Sequence, residues 1–405
     1  TYGSSFTTND IVGVAVDADA AKVAFSKNGQ FSDGNGNYNQ GANVASGGQV
    51  SIDGTGPYFA VFADTSSSRN PQFSLNFGQR AFSHSIPSGY QKLNSQNLPE
   101  PTVPKGNKYF DTLTWSGNST KDTNITGLNF SPDWVWIKCR SHSVYAGNLK
   151  FHHVVWDTIS GVGLDTAAVS SRKELTISST FPEGSAVNLT NYYGHVSAFN
   201  SDGFTLDHIT GQPALFTNQS GRTYVGWCWD AGDSTVTNND GTISTQVRAN
   251  TTAGVSIATW TSDGQGSMDS TVVNFRHSAN SSNGNTMIGY FFSNVEGFSK
   301  SGAYTGNGSS DGTFVYTGFR PAWVMIKRTD ANNDWPIADN KRSPVNIVDT
   351  AMYANLTNSD NTTDRYDFLA NGFKIKNNLN ESNASGGSYL YLAFAESAFK
   401  YARAR

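Results

Sequence analysis

Cysteine is almost missing from this chain of 405 residues, which carries only Cys139 and Cys228. That excludes the disulfide framework of small secreted domains, and the pair is expected to be two buried free thiols. Charge is scarce too: Asp, Glu, Lys and Arg make up 15% and the formal net charge is -4. Phosphate backbones are held by a basic face, so nucleic acid is not an expected partner. No apolar run approaches the roughly 20 residues of a spanning helix, so no membrane insertion is expected. There is no secretory leader and no initiator Met, and Thr1 falls inside a continuing pattern. The chain therefore reads as a fragment or a processed product.

Signatures of chemistry are equally thin. The sequence has no Gly-x-Ser-x-Gly elbow, no P-loop and no dinucleotide fingerprint. Asp33-Gly34-Asn35-Gly36-Asn37 starts like a calcium loop, but Tyr38 stands at its sixth position and Val44 at its twelfth. The glycine turn and the bidentate Glu are missing, so a mobile loop is expected there. His152 and His153 are adjacent; on a strand they would point to opposite faces and could not easily share a metal. The histidines are expected at the surface or half-buried, with no metal and no cofactor. Scattered carboxylates can build a hydrolase without leaving a motif, and Asp157, Glu174, Asp202, Asp339 and Asp349 are the residues to watch. No catalytic role is expected of them. Asn-x-Ser/Thr triplets at Asn118, Asn124, Asn188, Asn250, Asn307, Asn355 and Asn361 arise by chance from this composition.

What the chain has in quantity is glycine, 40 residues, and aromatics, 13%, with much Asn, Ser and Thr. Short strands joined by tight turns are written this way. It also repeats itself. Pro132 follows Trp115 by 17 positions, and Pro321 follows Tyr304 by 17. Each proline leads an apolar run, Trp134-Val135-Trp136-Ile137 or Trp323-Val324-Met325-Ile326. Such a run is covered on both faces, as in the middle of a sandwich, and its indoles are expected to pack a core. Farther on, Phe199 to Phe204 matches Phe368 to Phe373, and Ser220 to Trp229 matches Ser385 to Phe394. Between the copies, Ile257 to Thr261 and Asn285 to Phe292 read as the opening and closing strands of a cut-down unit.

Near the start, Ile11 to Val16 and Lys22 to Ser26 read as a hairpin, and Asn28-Gly29 supplies the positive-φ pair of a type I′ turn. Tyr58 to Phe62 and Phe73 to Gly78 read as further strands, the second burying Phe73, Leu75 and Phe77 on one face. Pro87, Pro99, Pro101 and Pro104 then mark an extended linker. A weaker polar boundary is expected at Asp233 to Thr252, and a third near Glu296 to Lys300.

Asp10 to Asp17, Val23 to Gly29, Pro57 to Val61 and Leu75 to Arg80 together resemble the second half of a SPRY domain. The resemblance is closest to SPRY domains of bacteriophage virion proteins. The repeats, with Pro321 to Lys327 and Tyr391 to Glu396, are similar to the domain that follows SPRY in phage tail-associated proteins. The resulting expectation is an all-β chain: a partial SPRY-like β-sandwich, then tandem β-sandwich or jelly-roll-like repeats with the middle one truncated. The expected boundaries are 1–90, a linker 91–107, repeats 108–232, 253–297 (truncated) and 298–405.

The resemblance implies a virion structural protein on the particle exterior, a tail fibre, spike or adhesin-like appendage contacting the host. The alternative is a capsid or tail decoration protein that binds only other virion proteins; a polysaccharide-cutting enzyme ranks below both. Partners would be virion proteins and a host surface glycan or protein, with a homotrimer usual for such fibres although no heptads enforce one. SPRY domains bind through loops at one end. The corresponding residues here are Asn35, Asn37, Tyr38 and Asn39 in one loop and Ser67 and Arg69 in another.

Overall fold

A computed structural model describes residues 5–53, 73–94, 97, 100–142, 144–145, 149–164, 173–179, 183–184, 194–240, 243–262 and 284–398. The fold is all-β, built from antiparallel sheets. It divides into two units, Thr1–Pro99 and Glu100–Arg405.

In the first unit, β1 (Val12–Asp17) pairs with β2 (Lys22–Lys27), which also pairs with β3 (Gln30–Phe31) and β4 (Gln49–Ser51). Asn28 and Gly29 have φ of 49° and 80° and close the two-residue turn between Lys27 and Gln30. Asn28 fits because its side chain also works: Oδ1 accepts the Ile11 N–H at 2.8 Å and Nδ2 donates to Asp10 at 2.8 Å. The core is small, Ala15, Ala24 and Phe31 with Val44 and Tyr90 against them.

One expected strand is absent. Residues 73–78 form no ladder, and Phe73, Leu75 and Phe77 are 59%, 41% and 41% exposed. Local bonds replace the ladder: Asn76 Oδ1 accepts the N–H of Gly78 and Arg80, and the Gln79 side chain bonds Phe77 N–H and Leu75 C=O. Asn and Gln side chains compete with sheet pairing in this way, and the alternating pattern alone does not reveal it. The expected strand Tyr58 to Phe62 lies outside the described residues.

The second unit opens with a 3₁₀ turn, Gly106–Lys108, and already buries Val103, so its packing reaches back into the expected linker. The first copy runs β5 (Phe110–Ser116), β6 (Thr123–Thr126), β7 (Trp134–Cys139), then the small hairpin β8 (Val144–Tyr145) and β9 (Leu149–Lys150). It continues with β10 (Val154–Asp157), β11 (Leu175–Thr176), β12 (His195–Asn200), β13 (Gly203–Asp207) and β14 (Thr223–Trp229). One sheet has the order β11-β10-β7-β14-β5, the other β12-β13-β6. Their facing sides close a core of Val135, Ile137, Trp156, Tyr224 and Cys228 against Ile125, Val196, Phe204 and Leu206. Cys139 and Cys228 are both buried and free.

Next comes a meander of four strands, β15 (Thr235–Asn238), β16 (Thr245–Asn250), β17 (Val255–Thr261) and β18 (Thr286–Phe292), paired in chain order. The 233–252 stretch, expected as a polar boundary, supplies two of these strands. Its polar residues suit edge strands: β15 is exposed throughout.

The last copy contains β19 (Ser299–Thr305), β20 (Phe314–Tyr316), β21 (Phe319–Arg328), β22 (Pro336–Asp339) and β23 (Val348–Tyr353). It ends with β24 (Asn361–Leu369), β25 (Gly372–Ile375) and β26 (Ser388–Ala398). Here all strands join one sheet, β19-β26-β21-β22-β23-β24-β25-β20. Read strand for strand, this is the order of the first copy, with the β23–β24 pairing linking the two sets. Register agrees as well: Trp115 faces Tyr224 as Tyr304 faces Tyr389, and Trp134 faces Trp229 as Trp323 faces Phe394. Pro132 precedes its strand, whereas Pro321 sits inside β21 at a register shift, where a missing N–H costs no ladder bond.

The two copies are packed together by the outer faces of their large sheets. Phe110 stacks on Phe394 at 4.9 Å, Trp229 meets Trp323 edge-on at 6.0 Å, and Trp134 stacks on Trp229 at 4.2 Å and on Tyr290 of β18 at 4.3 Å. A single buried cluster thus runs from the first copy through the meander into the second. Burying each aromatic contributes about 2–3 kcal/mol by area.

Candidate functional site

Loop 33–39 is where the sequence placed a contact surface. Asp33 organises it: Oδ1 accepts the N–H of Asn35 at 2.7 Å and of Asn37 at 3.2 Å, and Oδ2 accepts the side-chain amides of Asn37 and Asn39 at 3.0 and 3.3 Å. These donors, Asn37 foremost, hold the Asp33 carboxyl below its usual range. Asn37 and Asn39 therefore aim donors inward, and Tyr38 bridges to Ser32 with its ring 6.0 Å from Phe6. These bonds tie the loop into a turn around Asp33. Ser67 and Arg69 lie outside the described residues.

The carboxylates to watch do not meet one another through any hydrogen bond. Asp157 and Asp339 occupy the same position in the two copies, opposite Trp134 and Trp323. Each caps the turn after its strand: Asp157 accepts the N–H of Ile159 and Ser160, Asp339 those of Lys341 and Arg342. The second oxygen of Asp157 accepts the Tyr290 hydroxyl at 2.8 Å. That of Asp339 accepts Trp227 Nε1 at 3.0 Å and Arg342 Nε at 2.6 Å. Burial pushes the Asp157 carboxyl up. Asp349 accepts the Ser343 hydroxyl, Asp202 is exposed in the turn before Gly203, and Glu174 is buried elsewhere. Among the described residues no three His, Cys, Asp or Glu side chains could hold a metal together.

The histidines are less exposed than expected, with His152, His153, His195 and His208 all buried. His153 Nδ1 accepts the Trp136 indole N–H at 2.8 Å, and its ring stacks with Trp227. Burial lowers its pKa well below the ordinary value and holds His152 near about 4. Both are neutral core residues.

A cleft of about 240 Å³ opens where β7 begins, lined by Lys108, Tyr109, Asn129, Asp133, Asp230 and Arg248 among others. Asp133 lines it nearly buried, forms an ion pair with Arg248, whose Nε lies 2.7 Å away, and accepts the Thr158 hydroxyl at 3.2 Å and the Ala231 N–H at 2.8 Å. Burial raises this carboxyl to about 6, against the pull of those donors. The cleft offers carboxylate acceptors, a lysine and an aromatic edge, a lining suited to hydroxyl groups rather than to an anion. Sequence reasoning missed it because Arg248 lies in the stretch read as a boundary. The alternating Thr245-Gln246-Val247-Arg248-Ala249-Asn250 was the available signal.

No curated protein and no solved structure matches the chain. One family model matches twice, over residues 105–274 and again over 264–398, so that β15 to β17 fall in the first match and β18 in the second. Two matches on one chain agree with two copies of one strand order and register. The model is that of a domain of unknown function, DUF7483, and the chain belongs to that family.

Proposed function

We propose that this protein is a structural component on the exterior of a bacteriophage particle, a tail fibre, spike or adhesin-like appendage that touches the host. The observation that carries this reading is the duplicated sandwich, whose buried acids serve turns and packing: Asp157 and Asp339 are fully engaged as caps. A rigid, weakly charged β-module suits display and contact. The SPRY resemblance of the first unit points the same way, and its tied Asn-rich loop at 33–39 is a preformed contact surface for a host glycan or protein.

The decoration reading shares the fold and differs only in location. Immunogold labelling of intact particles separates the two: label on tail or fibre supports the appendage, label on the capsid favours decoration. Absence of the chain from purified particles overturns both. Incubation with host-envelope polysaccharide is expected to release no reducing ends; release would make the protein an enzyme.

A further inference from the structure

The two copies share register, so their surfaces can be compared position by position, and one face differs in kind. On the outer side of the small sheet, Asn124 and Thr126 of β6 stand where Phe314 and Tyr316 of β20 stand in the last copy. The first copy writes a polar ladder there: the Thr205 hydroxyl donates to Asn124 at 2.7 Å and receives from Asn200 Nδ2 at 2.9 Å. The last copy puts two aromatic rings on the same side of one strand, 38% and 42% exposed, while Val315 between them is buried. Side chains two apart on a strand share a face, at roughly 7 Å spacing.

The rings are seated. Gly372 faces Tyr316 across the ladder, and the Phe314 ring occupies the space where a side chain on Gly372 would stand, within 3.0 Å of that position. Lys300 Nζ lies 5.6 Å from the centre of the Tyr316 ring. Around them, Lys374 pairs with Asp311, and Lys376 lies 3.8 Å from Asp311 and 3.7 Å from Asp367.

We propose that this face of β20 and β25 is a stacking platform for a neutral pyranose of a glycan chain. Each exposed ring offers a flat apolar surface to the C–H face of a sugar, which packs by dispersion. Three rim lysines, Lys300, Lys374 and Lys376, face two rim carboxylates, Asp311 and Asp367, so the excess is a single positive charge, a weak field for an anionic chain. The Asp311 side chain, 74% exposed, still presents oxygens to sugar hydroxyls. Two part-exposed rings are far too small for a stable protein interface, which buries about 800 Å² per partner. The proposal deepens the host-contact reading and rests on it only for the source of the sugar.

Saturation-transfer NMR on the full chain tests it, with maltohexaose and cellohexaose as millimolar probes. At least one oligomer should show saturation of its axial C–H protons. Phe314→Asn with Tyr316→Thr, the residues the first copy carries in the same fold, should reduce it about fivefold or more. Should that pair unfold, Phe314→Leu with Tyr316→Leu keeps the apolar bulk, removes the π faces and should give the same loss. No saturation with either probe, or equal saturation in the folded variants, overturns the platform. Sugar binding by a chain absent from particles would overturn the virion placement and leave the platform standing.

Discussion

The two sandwiches can be laid over one another by their hydrogen bonds. In the first, Trp115 stacks on Tyr224 and donates its indole N–H to the Thr217 carbonyl; in the last, Tyr304 stacks on Tyr389 and donates its hydroxyl to the Ser382 carbonyl. Tyr224 donates to Leu215 C=O and accepts Gln219 N–H, and Tyr389 does the same with Asn380 and Ala384. Asn218 accepts the Asn118 N–H and donates to its Oδ1 and to Thr120 C=O; Asn383 treats Asn307 and Ser309 identically. Gly117 and Gly306 precede these loops because a Cβ there would lie 2.2 or 2.3 Å from a carbonyl oxygen of the clamp. What is kept is the tie between the opening turn and the closing strand. What drifts is the outer face of each sheet: within the buried seam Trp136 gives way to Met325, and on the exposed side the Asn124 ladder gives way to Phe314.

The largest test of this likeness lies in the shared seam. Trp229→Ala and Phe394→Ala should each cost about 3–5 kcal/mol in denaturant unfolding. Each should destabilise both copies in one transition; two separate transitions would show that the seam does not couple them. Nearly as large is an asymmetry at the equivalent aspartates. Asp339→Asn takes one of the two carboxylates from the buried Arg342 side chain, leaving Asp360 at 2.9 Å, and should cost about 3 kcal/mol, the low end for breaking a buried pair. Asp157→Asn leaves only a hydroxyl and turn amides short of an acceptor, about 1–3 kcal/mol. Equal losses would break the distinction.

Asn218→Ala and Asn383→Ala should then match each other at about 1–3 kcal/mol, since each removes the three shared bonds of the clamp and one more, to the Thr123 hydroxyl or the Asn377 carbonyl. Unequal values would mean the clamp carries different loads in the two copies.

A pH difference sharpens the contrast further. His152 and His153 are neutral when folded, while Asp334 and Trp335 hold the same places in the last copy. Their folded pKa values are depressed, so the stability they contribute is present above about 6.5 and is lost as pH falls through about 4 for His152. Asp133 runs the other way, its contribution being lost as pH rises through about 6. Wild type should therefore lose stability relative to His152→Gln between pH 7 and 4, measured by unfolding at each pH. A constant gap would sink the assignment. The smallest expected effect is Trp115→Tyr, below about 1.5 kcal/mol, because the sister copy already uses the smaller ring with its donor aimed at the equivalent carbonyl.

The duplication itself was legible, since Trp115, Pro132, Trp134 and their partners recur at fixed spacing. Burial of Trp134 to Cys139 on both faces could also be read from an unbroken apolar run. The Asn clamp could not: Asn118 and Asn307 look like chance triplets until the closing strand brings Asn218 and Asn383 to them, from 100 and 76 residues farther along the chain. The Phe73-Leu75-Phe77 alternation misled for the opposite reason, because its partners were its own neighbours' side chains. The cleft depended on Asp133 and Arg248, which only the meander brings together.

The seam has one last consequence, for how such a chain can be cut and recombined. The copies do not hang like beads on a thread, since each lends the other a flank that water would otherwise reach. A chain cut after Trp229 would bare Phe110, Trp134 and Trp229 at once. Either half alone would carry those rings as an open apolar flank, and an ancestor holding a single copy would have needed something else against them.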